Sequence, residues 1–76
     1  MENNGEEVVI TFFSHYEAVK ARRCLGEGTL SPVPRSLSSS CGTALFVSSA
    51  AFYSNHDFVY DKAYTMKEGK WSVLQV

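Results

Sequence analysis

The sequence predicts an α+β domain: a ferredoxin-like two-layer sandwich in the order βαββαβ, with a four-stranded, mostly antiparallel sheet. Three observations carry this expectation. An alternating apolar segment at Glu7–Phe13 runs directly into a capped helical pattern at Ser14. Two further extended segments follow, the first containing Pro32 and Pro34 and the second running from Gly42 to Ser49. A helix-like stretch and a last alternating segment, Trp71–Val76, complete the chain. Two right-handed split crossovers in one sheet satisfy that order.

In the opening segment Val8, Ile10 and Phe12 fall on one face, and Val9, Thr11 and Phe13 on the other. Both faces are largely apolar, which suits a strand covered on both sides. Ser14 is a good N-cap, and Glu17 three residues later completes a capping box. Ala18, Ala21 and Leu25, with Cys24 beside them, form the inward stripe, while Lys20, Arg22 and Arg23 lie outside. Gly26 or Gly28 supplies a left-handed exit. Pro32 and Pro34 place the segment from Leu30 to Arg35 at a sheet edge, because proline cannot donate to a ladder. Ser54 with Asp57 resembles a second capped start, and Phe58, Val59, Ala63 and Met66 fit a helical stripe ending near Gly69. Tyr60, Tyr64 and Thr65 weaken that helix and leave a strand open as the alternative.

The 76 residues are read as one domain over 1–76, with 1–6 as a disordered N-terminal tail. A chain of this size buries only about 60% of its unfolded surface, so ten aromatic residues must give the core its bulk. Seven Lys/Arg against eight Asp/Glu argue against a broad basic surface for nucleic acid. No apolar run approaches the roughly 18–20 residues that span a bilayer, so no membrane partner is expected. The acidic start, Met1 to Glu7, is the opposite of a signal peptide, and a cytoplasmic location is expected. Two well-separated cysteines and two scattered histidines, His15 and His56, make neither a CxxC motif nor a metal cluster, and no cofactor is expected.

The stretch with chemistry in it is Pro32-Val33-Pro34-Arg35-Ser36-Leu37-Ser38-Ser39-Ser40-Cys41-Gly42-Thr43. It combines a thiol, a fixed positive charge and many backbone donors. A cysteine reacts as its thiolate, and helix N-termini or cations lower its pKa from roughly 8.5. In the expected sheet the first and third strands are antiparallel neighbours. Cys41 then lies near the helix start at Ser14 and His15, within the influence of Arg35. Ser38, Ser39 and Ser40 offer an anion-binding nest, and Gly42 allows close approach and unusual backbone angles. Against this stand plainer readings: a serine-rich bend as a solvated loop, Cys41 as a small buried hydrophobe and Arg35 as an edge charge. Cys24 is read as packing, His15 as a surface residue of the first helical turn, and the aromatics of residues 52–64 as core.

Residues Ile10–Ser14, the alanine-containing helix and the run P-x-P-R-x-L-S-S-x-C-G at Pro32–Gly42 together resemble the selenium/sulfur carrier-like family of small bacterial proteins. The resemblance covers about residues 8–47, while residues 50–76 depart from the family's usual helix and end. It implies that Cys41 bears a persulfide or perselenide in a pocket shaped by Arg35, the serines and Gly42.

The first functional reading is therefore a carrier, not an enzyme in the usual sense. Cys41 would take sulfur or selenium from a donor enzyme and pass it to an acceptor protein. The alternative is a non-catalytic anion-binding or regulatory module using Arg35–Ser40. A cysteine hydrolase ranks below both, since His15 is the one candidate base. Val9, Phe13, Leu45 and Val47 are read as apolar residues on a sheet face that the helices leave open, which predicts a homodimer.

Overall fold

The computed structural model describes residues 7–37, 42–55 and 57–74. It has α+β architecture with one antiparallel sheet and two helices. The elements are β1 (Glu7–Thr11), α1 (His15–Leu25), β2 (Thr29–Pro32), β3 (Thr43–Ser48), α2 (Ser49–Ser54), β4 (Lys62–Lys67) and β5 (Lys70–Val73). The sheet has five strands in the order β2-β3-β1-β4-β5, where the sequence predicts four. The expected disordered tail, 1–6, lies outside the described residues.

Strand β1 is central, antiparallel to both β3 and β4. Its alternation assigns its faces. Val8, Ile10 and Phe12 pack with Leu45, Val47, Ala63 and the helix residues Ala18, Ala21 and Phe52. Val9 lies on the opposite face, in register with Phe46 on β3 and Tyr64 on β4. Leu45 and Val47 therefore sit on the helix-covered side, a correction to their reading as open-face residues. Met66 and Val73, with cross-strand partners Trp71 and Tyr64, are exposed apolar side chains of the other face, and Phe13, two residues past the end of β1, is exposed as well.

Helix α1 follows the sequence at both ends, although among the described residues the Glu17 side chain makes no return bond to the Ser14 N–H and the capping box is only half formed. Ser14 Oγ accepts the Glu17 N–H at 3.3 Å, and Gly26 closes the helix at φ 77° with its N–H bonded to the Arg22 carbonyl. Ala18 and Ala21 are fully buried and Leu25 is partly so. Cys24 is exposed, not packed inward as the stripe predicts.

The last third departs most. The helix expected to end near Gly69 is replaced by a six-residue helix, α2, and a β4–β5 hairpin. Ser48 caps α2, its Oγ accepting the Ala51 N–H at 3.2 Å. Residues 62–67 obey the two-residue period: Ala63 and Thr65 face the helices and Tyr64 the other side. Thr65 and Tyr64 fit a pleated surface better than a helix. The hairpin turns through Glu68 and Gly69 with φ of 51° and 79°, the left-handed pair that matches the twist of adjoining strands. Between α2 and β4, Phe58 and Tyr60 pack on the core. Tyr60 meets Phe52 edge-on at 5.7 Å, and Phe58 lies 6.4 Å from Phe12.

Gly28 joins α1 to β2 at φ 119°, and a Cβ there would stand 2.7 Å from Val47 Cγ1 and 2.9 Å from Leu45 Cδ1. Gly26 is also left-handed but open, with nothing within 4 Å of a Cβ. Gly28→Ala should cost about 2–4 kcal/mol, from strained backbone plus a clash with two core side chains. Gly26→Ala should cost about 1 kcal/mol, from backbone alone. Urea unfolding midpoints at unchanged slope measure the difference. Equal losses at the two sites would contradict the close packing at Gly28.

Candidate functional site

The loop that carries the sequence motif is closed at its base by backbone. The Val33 N–H donates to the Gly42 carbonyl at 3.2 Å, one step beyond the Pro32–Thr43 register pair. Pro32 and Pro34 sit on the free side of this edge pairing, so no ladder donor is lost. The loop then turns immediately, the Leu37 N–H donating to the Pro34 carbonyl at 3.0 Å. Arg35 occupies the second position of that turn and is exposed. Among the described residues it makes no hydrogen bond or ion pair. Cys41, Ser38, Ser39 and Ser40 lie outside the described residues, as does His56.

On the other side of the sheet end, the start of α1 meets the start of β3. The register pair Thr11–Ala44 brings the end of β1 beside Thr43. His15 Nδ1 lies 3.0 Å from Thr43 Oγ1 across 28 residues of sequence. Ser14, His15, Gly42 and Thr43 therefore form one corner of the molecule, and Cys41 precedes Gly42 in the chain. The first-turn amides of α1 and the imidazole stand at this corner, where an anion is favoured. Ser14 Oγ is already engaged by the Glu17 N–H, so Ser14 acts first as the helix cap.

Gly42 is exposed, and a Cβ built on it would meet no described atom within 4 Å.

The sequence reading misses two residues that position this region. Thr43 anchors His15, and its signal was weak: a β-branched hydroxyl residue opening a strand. Asn55 binds the far end of the same helix, its Nδ2 donating to the Cys24 carbonyl at 3.5 Å and lying 3.6 Å from Cys24 Sγ. Cys24 and the Thr43 corner are at opposite ends of α1, about 14 Å apart along an axis that rises 1.5 Å per residue.

No curated protein and no solved structure matches the chain. The family model described as "Putative Se/S carrier protein-like" matches residues 7–57, which span β1, α1, the motif loop, β3 and α2. The match runs through residues 50–57, which the sequence resemblance had left outside the family's pattern, and leaves out the β4–β5 hairpin. With more than half of its length matched, the chain belongs to the Se/S carrier protein-like family.

Proposed function

We propose that this protein carries sulfur or selenium on Cys41, moving it between a donor enzyme and an acceptor protein without catalysing a reaction on a small substrate. The single observation that carries the proposal is the family match across the motif loop, since that loop holds the motif's one thiol. The corner formed by His15 and Thr43 supports it physically. Helix amides there, with the Arg35 guanidinium in the same loop, favour a thiolate over a thiol. Each pH unit by which the thiol pKa falls is worth about 1.4 kcal/mol in favour of the charged form.

The transfer step balances without an external oxidant. The Cys41 thiolate attacks the terminal sulfur of a persulfide on the donor enzyme. The new S–S bond forms as the donor's own S–S bond breaks, and the donor leaves as a thiolate. The sulfane sulfur keeps its oxidation state, and the same exchange in reverse delivers it to the acceptor. This chemistry suits the cytoplasm, where free thiols are kept reduced. We read the sheet as a ferredoxin-like arrangement to which β5 has been added at one edge. We also propose that a second copy covers the open sheet face around Met66, Trp71 and Val73, giving a homodimer.

A second reading follows from Arg35, which is exposed and unpartnered among the described residues: the loop binds an anion and Cys41 only packs. The two readings separate on one variant. Incubation with a cysteine desulfurase and sulfur-labelled cysteine should place label on Cys41, retain it in Cys24→Ser and abolish it in Cys41→Ser. A Cys41 that accepts no label while remaining open to alkylation would rule out the carrier reading. For the homodimer, light scattering at micromolar concentration should give twice the chain mass, and Met66→Glu or Val73→Glu should lower it. A clean monomer mass for the unaltered chain would contradict the dimer.

A further inference from the structure

We propose that a cleft along the outer face of α1 binds a free α-amino acid as its zwitterion, preferring an apolar or thioether side chain. The cleft is about 490 Å³, within the roughly 300–1,000 Å³ usual for small-ligand sites. One wall is a single stripe of the helix, Tyr16, Lys20 and Cys24, at successive i+4 positions with Glu17 beside it. The other wall is Asp57, Phe58 and Val59.

This is a fixed wall. Phe58 packs on the core against Phe12 and Tyr60. The Asp57 N–H donates to Asn55 Oδ1 at 3.2 Å, and the same Asn55 side chain reaches back to the Cys24 carbonyl. Asn55 therefore ties the second wall to the helix that forms the first.

Charges of both signs line the cleft without cancelling one another. Glu17 Oε1 is buried and has no hydrogen-bond partner. A buried oxygen without a donor is unfavourable, and an ammonium group, with three donors, would relieve it once the carboxylate turns into the cleft. Asp57 adds a second carboxylate on the facing wall. Lys20 does not neutralise either acid: its Nζ stands 6.0 Å from the centre of the Tyr16 ring, and among the described residues it makes no ion pair. A simple amine would meet the two acids but be repelled by Lys20. A simple carboxylic acid would meet Lys20 but be repelled by the acids. An α-amino acid carries both groups on one carbon, its ammonium toward Glu17 and Asp57 and its carboxylate toward Lys20. The remaining surface, the Tyr16 and Phe58 rings with Val59, suits an apolar side chain or a thioether, whose sulfur packs well at aromatic edges.

The cleft shares no lining residue with the motif loop, so this inference stands or falls independently of the carrier reading. Titration of the ¹⁵N-labelled full chain with L-methionine, followed by amide chemical shifts, tests it. The expected result is a saturable shift confined to residues 16–24 and 57–59, with Kd on the order of 0.1–10 mM. N-acetyl-L-methionine amide, which has neither charge, should bind at least about tenfold more weakly. Glu17→Gln and the exposed-site change Lys20→Gln should each weaken L-methionine by at least about fivefold while leaving shifts elsewhere unchanged. No saturable shift up to about 20 mM, shifts centred outside the cleft, equal binding of the neutral analogue, or unaltered binding by both variants would overturn the inference.

Discussion

Strand β1 has both edges and both faces committed. Its backbone pairs with β3 on one side and β4 on the other, and Val8, Val9, Ile10 and Thr11 are each at most 1% exposed. A one-residue slip would exchange Val8 and Ile10 with Val9 and Thr11, putting a hydroxyl into the helix-side core. The register is therefore strongly specified, and much else follows from it. Pairing Thr11 with Ala44 sets the start of β3 beside the end of β1, and Ser14 starts α1 three residues after Thr11. The corner where His15 meets Thr43 is a consequence of that register. It needs no long-range contact peculiar to the loop.

The parts of the fold legible in the sequence are those where local chemistry and tertiary packing agree. Ser14, Glu17 and Gly26 mark α1 by capping rules alone, and the prolines of residues 32–34 mark an edge that the sheet order confirms. Residues 54–69 were illegible because two periods compete there. Phe58, Val59, Ala63 and Met66 fit a helical stripe, whereas Ala63 and Thr65 against Tyr64 fit a strand. The deciding signal was the Glu68–Gly69 turn, which lacks the Asn or Asp that usually announces such a hairpin. The pattern puts Leu45 and Val47 on the wrong face for a related reason. In Thr43–Ser48 both alternating sets contain apolar residues, so the pattern names two faces without saying which one the helices cover.

Legibility of the site divides in the same way. The motif loop, its two prolines and the family resemblance were visible from sequence, and the family match covers that loop. The meeting of Ser14 and His15 with the start of β3 followed from strand order. The stripe predicts Cys24 inward because a run of small residues on a short helix can be wide or narrow. Ala18 and Ala21 suffice to seat α1 closely on the sheet, and Cys24 falls just beyond the covered arc, beside Asn55. The residues that line the cleft on the other side of α1 cannot be grouped from sequence, because the pattern assigns Asp57–Val59 to a helix.

The two cysteines belong to different parts of the chain, Cys24 to α1 and Cys41 to the motif loop. Cys24 is exposed in the last turn of α1, whereas Cys41 immediately precedes Gly42 in the sequence, and Gly42 and Thr43 stand at the corner where that helix begins. That contrast makes Cys24 an internal control for the central claim, that the motif loop holds an activated thiolate. The most direct measurement is the pH dependence of alkylation at each cysteine, resolved by mass spectrometry on the folded chain. The account predicts that Cys41 becomes reactive at least about one pH unit below Cys24, and that Arg35→Gln narrows the gap. Coincident titrations of the two thiols, unchanged by Arg35→Gln, would contradict it.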